Sequence, residues 1–345
     1  MASSQNPKDS MKSTWAKDKS QWRLPHYVCS VLDPFTFDPS TPYPVFKKTD
    51  PVPTLTHWSM NAFILVHCLW PMALQYVYYR YTGHNIHPIL AYLLYSFAFK
   101  FNSAHQLVVL RRLALKYGFY DGDVHERDHI PDVGVDKAFS SVQLTTSIRP
   151  LYTLLMTYNS TAPPAFSWTL PIELALYSIV LDFWFYIYHR ACHEVDFLWR
   201  YHRTHHLTKH PTPFLSAYAD SEQEFIEIAL VPILTWGTLR LLGFPMGFYD
   251  WWVCHQYIIF SEAFGHSGLR IFSTAPGTSF IFLRLGNAEL TGEDHDLHHR
   301  KGYRKSANYG KQTRLWDVIF GTTWDRIESV PSNIDHNTIV NFPLV

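Results

Sequence analysis

The sequence predicts an all-α fold: a polytopic membrane bundle of about four spans plus a hairpin, capped by a cytoplasmic, histidine-rich metal-binding region. Three observations predict it. Charged residues make up only 17% of the 345 residues, against roughly 25% in ordinary soluble domains. Trp58 to Tyr79 runs 22 residues without an Asp, Glu, Lys or Arg. The third is that many of the 20 histidines gather in short clusters rather than scattering.

Residues 1–56 read as a polar, Pro-bearing segment with no apolar core near Met1, so the first true span is expected to direct insertion. The run from Trp58 is long enough to cross roughly 30 Å of hydrocarbon as a helix. Pro88 to Leu110 is a second span, interrupted only by Lys100 and followed by Arg111 and Arg112, a cationic pair that suggests a cytoplasmic end. With the aqueous DGDVHERD loop after it, this forms an N-terminal hairpin unit over 57–135. A weaker apolar stretch follows at Ala138–Tyr158, then Ala165–Tyr188, which carries Glu173 and Asp182 but is otherwise strongly apolar. Four crossings from a cytoplasmic start return the chain to the cytoplasm at His189 and put the Asn159-Ser160-Thr161 sequon in a lumenal turn. Residues 225–243 and 246–261 form an apolar pair, broken at Gly243-Phe-Pro, that crosses or re-enters. A catalytic domain over 136–328 and a C-terminal tail over 329–345 complete the division.

Mean hydropathy is −0.11, which fits a chain part bilayer and part aqueous. Aromatic residues reach 17%, suited to membrane interfaces. Lys+Arg and Asp+Glu balance at 29 each, which argues against nucleic acid as a partner. Four cysteines lie far apart with no CxxC, so disulfide frameworks and cysteine zinc sites are not expected.

Three histidine boxes carry the chemistry: HRACH with His189 and His193, HRTHH with His202, His205 and His206, and HDLHH with His295, His298 and His299. Helical spacings of three and four place such side chains on one face. Eight imidazoles exceed the four ligands of a structural zinc, so two ions sharing them is the economical account. Imidazole suits iron, zinc, copper and nickel alike. His266, in EAFGHSG, is a candidate ninth ligand, with His255 a weaker one. A cluster of neutral ligands around divalent ions calls for carboxylates behind the rings. Asp182, seven residues before His189, Glu262, one turn before His266, and Asp294, four before His298, are the candidates. Asp294 and Glu194 have solvated surface as their alternative. His57, His67, His84, His87, His105, His125, His129 and His210 lack a partner at ligand spacing and are read as structural.

At these boxes the chain resembles the fatty acid hydroxylase superfamily, which includes sterol desaturases, sterol methyl oxidases and sphingolipid hydroxylases. The resemblance rests on HRACH, HRTHH and HDLHHR in that order and on NYGKQTRLWDVIFGT (Asn308 to Thr322), and covers about residues 140–328. Membership implies a di-iron centre on the cytoplasmic face of the endoplasmic reticulum, O2 as co-substrate, and electrons from a separate reductase, commonly through cytochrome b5. It implies hydroxylation or desaturation of a lipid, sterol or terpenoid-like substrate entering from the bilayer. The aromatic run Phe183–Tyr188 is expected to line that entrance or to form a lipid-facing belt. No HPGG haem motif and no GxGxxG stands in the chain, so neither a fused cytochrome b5 domain nor nicotinamide binding is expected. Two other readings use the same imidazoles: a non-redox zinc enzyme, with zinc also able to substitute for iron, and a metal-binding structural membrane protein.

Overall fold

The structure is a computed structural model, and it describes residues 6–33, 43–122 and 127–344. Among these, α1 (Leu24–Leu32) and several short 3-10 turns precede strand β1 (Val52–Leu55). Two long helices follow, α2 (His57–Thr82) and α3 (Pro88–Tyr117), the first ended by Gly83 in the left-handed region (φ 74°), where glycine carries no Cβ penalty. Helices α4 (Val135–Thr157) and α5 (Leu170–Glu194) complete the long set.

The remaining elements are shorter. Helix α6 (Asp196–His202) leads through a 3-10 turn at His205–Leu207 to α7 (Ser221–Phe225), a π-helical turn at Ile226–Leu230 and α8 (Val231–Leu241). Then come α9 (Phe248–Gly265), α10 (Phe280–Leu285), α11 (Gly292–Lys301) and α12 (Leu315–Phe320). Strand β2 (Ile334–Val340) closes the chain by pairing in parallel with β1, with an irregularity between Pro53 and Thr54. Seven residues of the expected tail at 329–345 therefore form a strand, and among the described residues the fold is mostly helical with one two-stranded sheet rather than purely α.

Helix α9 is the axis of the molecule. Sixteen of its eighteen residues are buried, and it packs against α2, α3, α4, α5 and α11. Trp251 and Trp252 supply the bulk of that packing, their indole N–H groups bonded to the Tyr177 hydroxyl and the Cys68 carbonyl, both at 2.9 Å.

Two helices, α2 and α5, are long and apolar enough to cross a membrane. Their apolar windows are 44% and 39% buried inside the protein, so much of that surface faces outward, including Val66, Leu74 and Val77. Leu90, Leu93 and Phe97 on α3 extend the exposed apolar face, the mark of a membrane protein. Helix α3 runs past the expected end at Leu110, so Arg111 and Arg112 lie inside it rather than after it. Arg111 is buried against Asp33, its Nε 2.9 Å from the carboxylate, and so answers to a partner rather than to a membrane edge. Helix α5 likewise continues beyond Tyr188, carrying the first histidine box on its last turns. Residues 226–241 and 248–265 form the helical pair expected there, turned at Gly243 (φ 91°).

Candidate metal centre

Nine histidines converge in two groups. His189, His193, His202, His206 and His298 form one; His205, His266, His295 and His299 form the other. Within each group the ring nitrogens lie within 4.8 Å of one another, and all nine residues are buried. The first and third boxes stand on helices, α5 and α11, where i,i+4 spacing pairs His189 with His193 and His295 with His299. The second does not stand on one helix. Helix α6 ends at His202, and the 3-10 turn sends His205 to one group and His206 to the other. The third box also divides, because His298 points a different way from its neighbours.

Ring orientation follows from hydrogen bonds to carbonyls. The Nδ1–H of His189 donates to Tyr309 O (2.7 Å), that of His298 to Ala307 O (2.7 Å), and that of His299 to Thr208 O (3.2 Å). His205 donates to Tyr218 O (3.2 Å) and His266 to Glu262 O (2.8 Å). A carbonyl can only accept, so each of these rings carries its proton on Nδ1 and presents a lone pair at Nε2. Burial pushes His202, His206, His295, His298 and His299 well below the ordinary imidazole range, and neighbouring imidazoles push the same way. The rings are therefore neutral ligands at neutral pH.

Their spacing fits shared ions. Nε2 to Nε2 separations are 3.1 Å for His193–His206, 3.0 Å for His298–His206, 3.2 Å for His266–His205 and 2.9 Å for His295–His266. Ligand nitrogens about 2.1 Å from one ion stand about 3.0 Å apart at a right angle and about 3.4 Å apart at the tetrahedral angle. The Nε2 atoms of His189 and His299, and both ring nitrogens of His202, are buried without a hydrogen-bond partner. Buried polar atoms are rarely left so, and an ion supplies the missing partner.

The carboxylates sit differently from the sequence expectation: none of the three hydrogen-bonds a histidine ring. Asp182, fully buried, accepts from the backbone N–H groups of Lys311 (2.8 Å), Gln312 (3.0 Å) and Thr313 (3.2 Å) and from the Thr313 hydroxyl (2.7 Å). It pins the strap that carries Tyr309, and so reaches His189 only through backbone. Asp317 holds the same strap through Tyr309 N and Gly310 N, both at 2.8 Å. At Gly310 a Cβ would lie 2.3 Å from Thr313 O and 3.0 Å from Asp182, which is why the strap carries glycine there. Asp294 caps α11 through Thr291 N (2.8 Å) and takes two bonds from Arg326 (2.9 and 2.8 Å). Of Glu262, the backbone carbonyl rather than the side chain meets His266; its carboxylate faces Lys311 (3.4 Å) and Arg149 (3.6 Å). Glu194 is the exposed member of an i,i+4 pair with Arg190.

His255 lies outside both groups, stacked on Trp251 and 3.1 Å from the Thr153 hydroxyl. His67 and His105, read as unpaired, meet across α2 and α3 at 2.8 Å, 38 positions apart and beyond any spacing rule. His57 contacts Thr274, and His210 contacts Asp121. His125 lies outside the described residues.

A cavity of about 240 Å³ opens beside the imidazoles, lined by His189, His202, His205, His266 and His295 with Phe185, Ser216, Glu227, Glu262 and Lys311. A larger open one, about 710 Å³, lies between α3, α4, residues 213–228 and α9. Ser216, Glu227 and Glu262 line both, so the two are neighbours across a polar threshold. Lys311 bridges that threshold, its Nζ 2.9 Å from Glu227. Glu227 belongs to no motif named from the sequence, and Lys311 stands in the NYGKQTRLWDVIFGT segment without being singled out there. From the expected aromatic entrance Phe183–Tyr188, only Phe185 reaches the histidine chamber; Phe183 packs on Trp316 and Tyr186 on Phe320.

Comparison with known proteins gives a consistent family. The fatty acid hydroxylase family model matches residues 174–322. The chain is 42% identical over 315 residues to the fatty acid hydroxylase vlmA of a Lecanicillium species, covering 86% of this chain and 85% of that one. A very-long-chain aldehyde decarbonylase of Oryza sativa subsp. indica is 34% identical over 163 residues, 46% of this chain and 54% of the relative. A methylsterol monooxygenase of Aspergillus fumigatus is 27% identical over 161 residues, 46% and 49% of the two chains. No solved structure matches the chain.

Proposed function

The chain belongs to the fatty acid hydroxylase superfamily of lipid-modifying oxygenases, and on that premise we propose that it is a membrane-bound di-iron enzyme that hydroxylates or desaturates a lipid-like substrate with O2. The observation that carries the proposal is the pair of buried imidazole groups, five and four rings, beside a cavity, with five of the nine Nε2 lone pairs freed by an Nδ1–H bond to a carbonyl. His189, His193, His202, His206 and His298 would hold one iron and His205, His266, His295 and His299 the other. When bound, such a pair supplies the O2 reduction and oxidising power that an unactivated C–H bond demands.

The protein's own part is positional. Carbonyls of Tyr309, Ala307, Thr208, Tyr218 and Glu262 fix five rings in one tautomer, so the ligand set is ordered before any ion arrives. Phe185 and the buried chamber limit water at the reacting carbon. Glu227 and Glu262 stand beside the four-ring group, where their charge is shared with Lys311 and Arg149. Electrons come from a separate donor of the cytochrome b5 and reductase kind. The endoplasmic reticulum membrane, with the site on its cytoplasmic side, is the setting that fits such a donor.

Metal analysis of protein purified in mild detergent tests this reading, together with O2 consumption on adding reductant and lipid. Two irons per chain and lipid-stimulated O2 uptake are expected. Zinc with no uptake would instead make it a hydrolytic or isomerising enzyme. Full activity in His205→Ala and His298→Ala would leave the histidines a structural role only.

A further inference from the structure

Arg149 stands on α4, at a depth where the sequence expects hydrocarbon. Its side chain is 2% exposed, and its Nη2 lies 3.6 Å from Glu262 Oε2. The other two guanidinium nitrogens, Nε and Nη1, are buried with no hydrogen-bond partner. Idle donors on a buried cation are costly, and an ionisable residue at bilayer depth generally has a specific partner. Its position supplies one: Arg149 lines the 710 Å³ cavity, next to the threshold shared with the histidine chamber.

The rest of that lining says what the partner is. Leu107, Val142, Phe214 and Ile259 give apolar walls, suited to an alkyl or ring skeleton. The polar side of the wall carries the Ser103 hydroxyl, which also lacks a partner, together with Gln106, Gln223 and the carboxylates Glu224, Glu227 and Glu262. Lys311, the other cation at the threshold, is already engaged by Glu227 and Glu262. A bare hydrocarbon would leave the Arg149 donors unmet, whereas a carbonyl-type oxygen accepts from them directly. The two idle donors diverge, since Nη1 lies on the Cδ side of the guanidinium and the Nε–H on the opposite side, so such an oxygen takes one of them.

We propose that the 710 Å³ cavity is the substrate site, and that Arg149 is its specificity-determining anchor for a carbonyl-type oxygen at the polar end of an apolar chain. The inference rests on, and deepens, the lipid-oxygenase reading above. A free carboxylate and an ester or amide present the same oxygen, and the probes separate them.

The test uses full-length, metal-loaded protein in lipid nanodiscs without reductant, so that binding is read apart from turnover. Hexadecane, methyl hexadecanoate and hexadecanoic acid are titrated against wild type, Arg149→Gln and Arg149→Lys. Wild type should bind the ester, the acid or both more tightly than hexadecane by roughly 10-fold or more, the worth of one hydrogen bond to a charged group. Arg149→Gln should erase that preference while leaving hexadecane binding and metal content unchanged. Preference for the acid over the ester would mean that charge is read; equal binding would mean that the oxygen alone is read. Should the Gln variant fail to fold, the wild-type preference and its reduction in Arg149→Lys decide the matter. No preference in wild type, or an unaltered one in either folded variant, overturns the proposal. Arg149-dependent binding without O2 uptake would overturn the oxygenase reading and leave this one standing.

Discussion

The five-imidazole group draws on all three boxes, whereas the four-imidazole group draws on the second and third and on His266, and the two face different surroundings. His189 and His298, in the larger group, lean on carbonyls of the strap at 307–309. In the smaller group, His266 leans on the Glu262 carbonyl, and three of its four rings, His205, His266 and His295, line the chamber with Glu227, Glu262 and Lys311, against His189 and His202 from the larger group. An ion with four protein ligands keeps more open positions than one with five, and here the smaller group also has carboxylates beside it and the cavity threshold next to it. The lesson is a division of labour. On the di-iron reading, the larger group is the better-filled site and the smaller group is where O2 and substrate have room.

That contrast can be broken most sharply at the histidines. His206→Ala and His299→Ala should each lower turnover by about two orders of magnitude or more, on the order of the largest single-residue effects in catalysis. Metal per chain should fall from two toward one in both, measured by mass spectrometry on the purified protein. If His299→Ala keeps two ions and normal turnover, the four-ring group is no metal site.

A smaller effect is expected one layer out, at Asp182. Asparagine there turns an amide N–H toward the backbone donors of residues 311–313, so the strap loosens and His189 loses its firm acceptor. Metal affinity should drop by roughly 10–100-fold, the usual range for a residue that supports a ligand. The loss should fall on the five-ring group and spare the other. Equal loss from both groups would show that the strap holds the whole cap rather than one half.

Acid should separate the groups more gently. Burial holds these imidazoles below their ordinary value of about 6.5, so in metal-free protein the unfolded chain takes up protons that the fold excludes. Stability is thus unaffected above about pH 6.5 and declines as pH falls below it. His205 is also lowered chiefly by burial, but Glu227 and Glu262 oppose that shift, making it easier to protonate than His206 or His298. Stepwise dialysis from about pH 7 to about pH 5, with metal counted at each step, should release the four-ring ion first. Release of the five-ring ion first would reverse the assignment of the more exposed site. Least of all should change at Glu194, whose exposed pair with Arg190 is worth about 0–1 kcal/mol. In Glu194→Gln, thermal stability and metal content should both match wild type.

The boxes were legible in the sequence because i,i+4 spacing on a helix is a geometric rule, and it is obeyed by His189–His193 and His295–His299. His266 was legible through its place between two boxes. The division of the second box between groups was not, since it depends on α6 stopping at His202. Asp182, Glu262 and Asp294 were read as partners of rings, but Asp182 holds backbone N–H groups, Asp294 holds Thr291 N and Arg326, and Glu262 faces Lys311 and Arg149. The groups that do orient the rings are carbonyls, which every residue possesses and no motif reveals. Arg149 sat in a weak apolar stretch where one cation carries no pattern, and its meaning comes only from the cavity it lines. The long helices were expected at nearly the right places, but their ends moved wherever burial competed with composition, as at Arg111.

The parallel pairing of residues 52–55 with 334–340 has a consequence for how the molecule is made. Strand partners more than 280 positions apart cannot meet until the chain through residue 340 has left the ribosome. Phe342, just beyond that strand, then wedges against Phe63 and Phe260, on the two helices α2 and α9. A nascent chain halted short of Ile334 would already hold all nine histidines, but not the fastening that ties residues 334–342 to β1, α2 and α9. The pairing is thus a latch that closes only after every ring of the metal centre has been made.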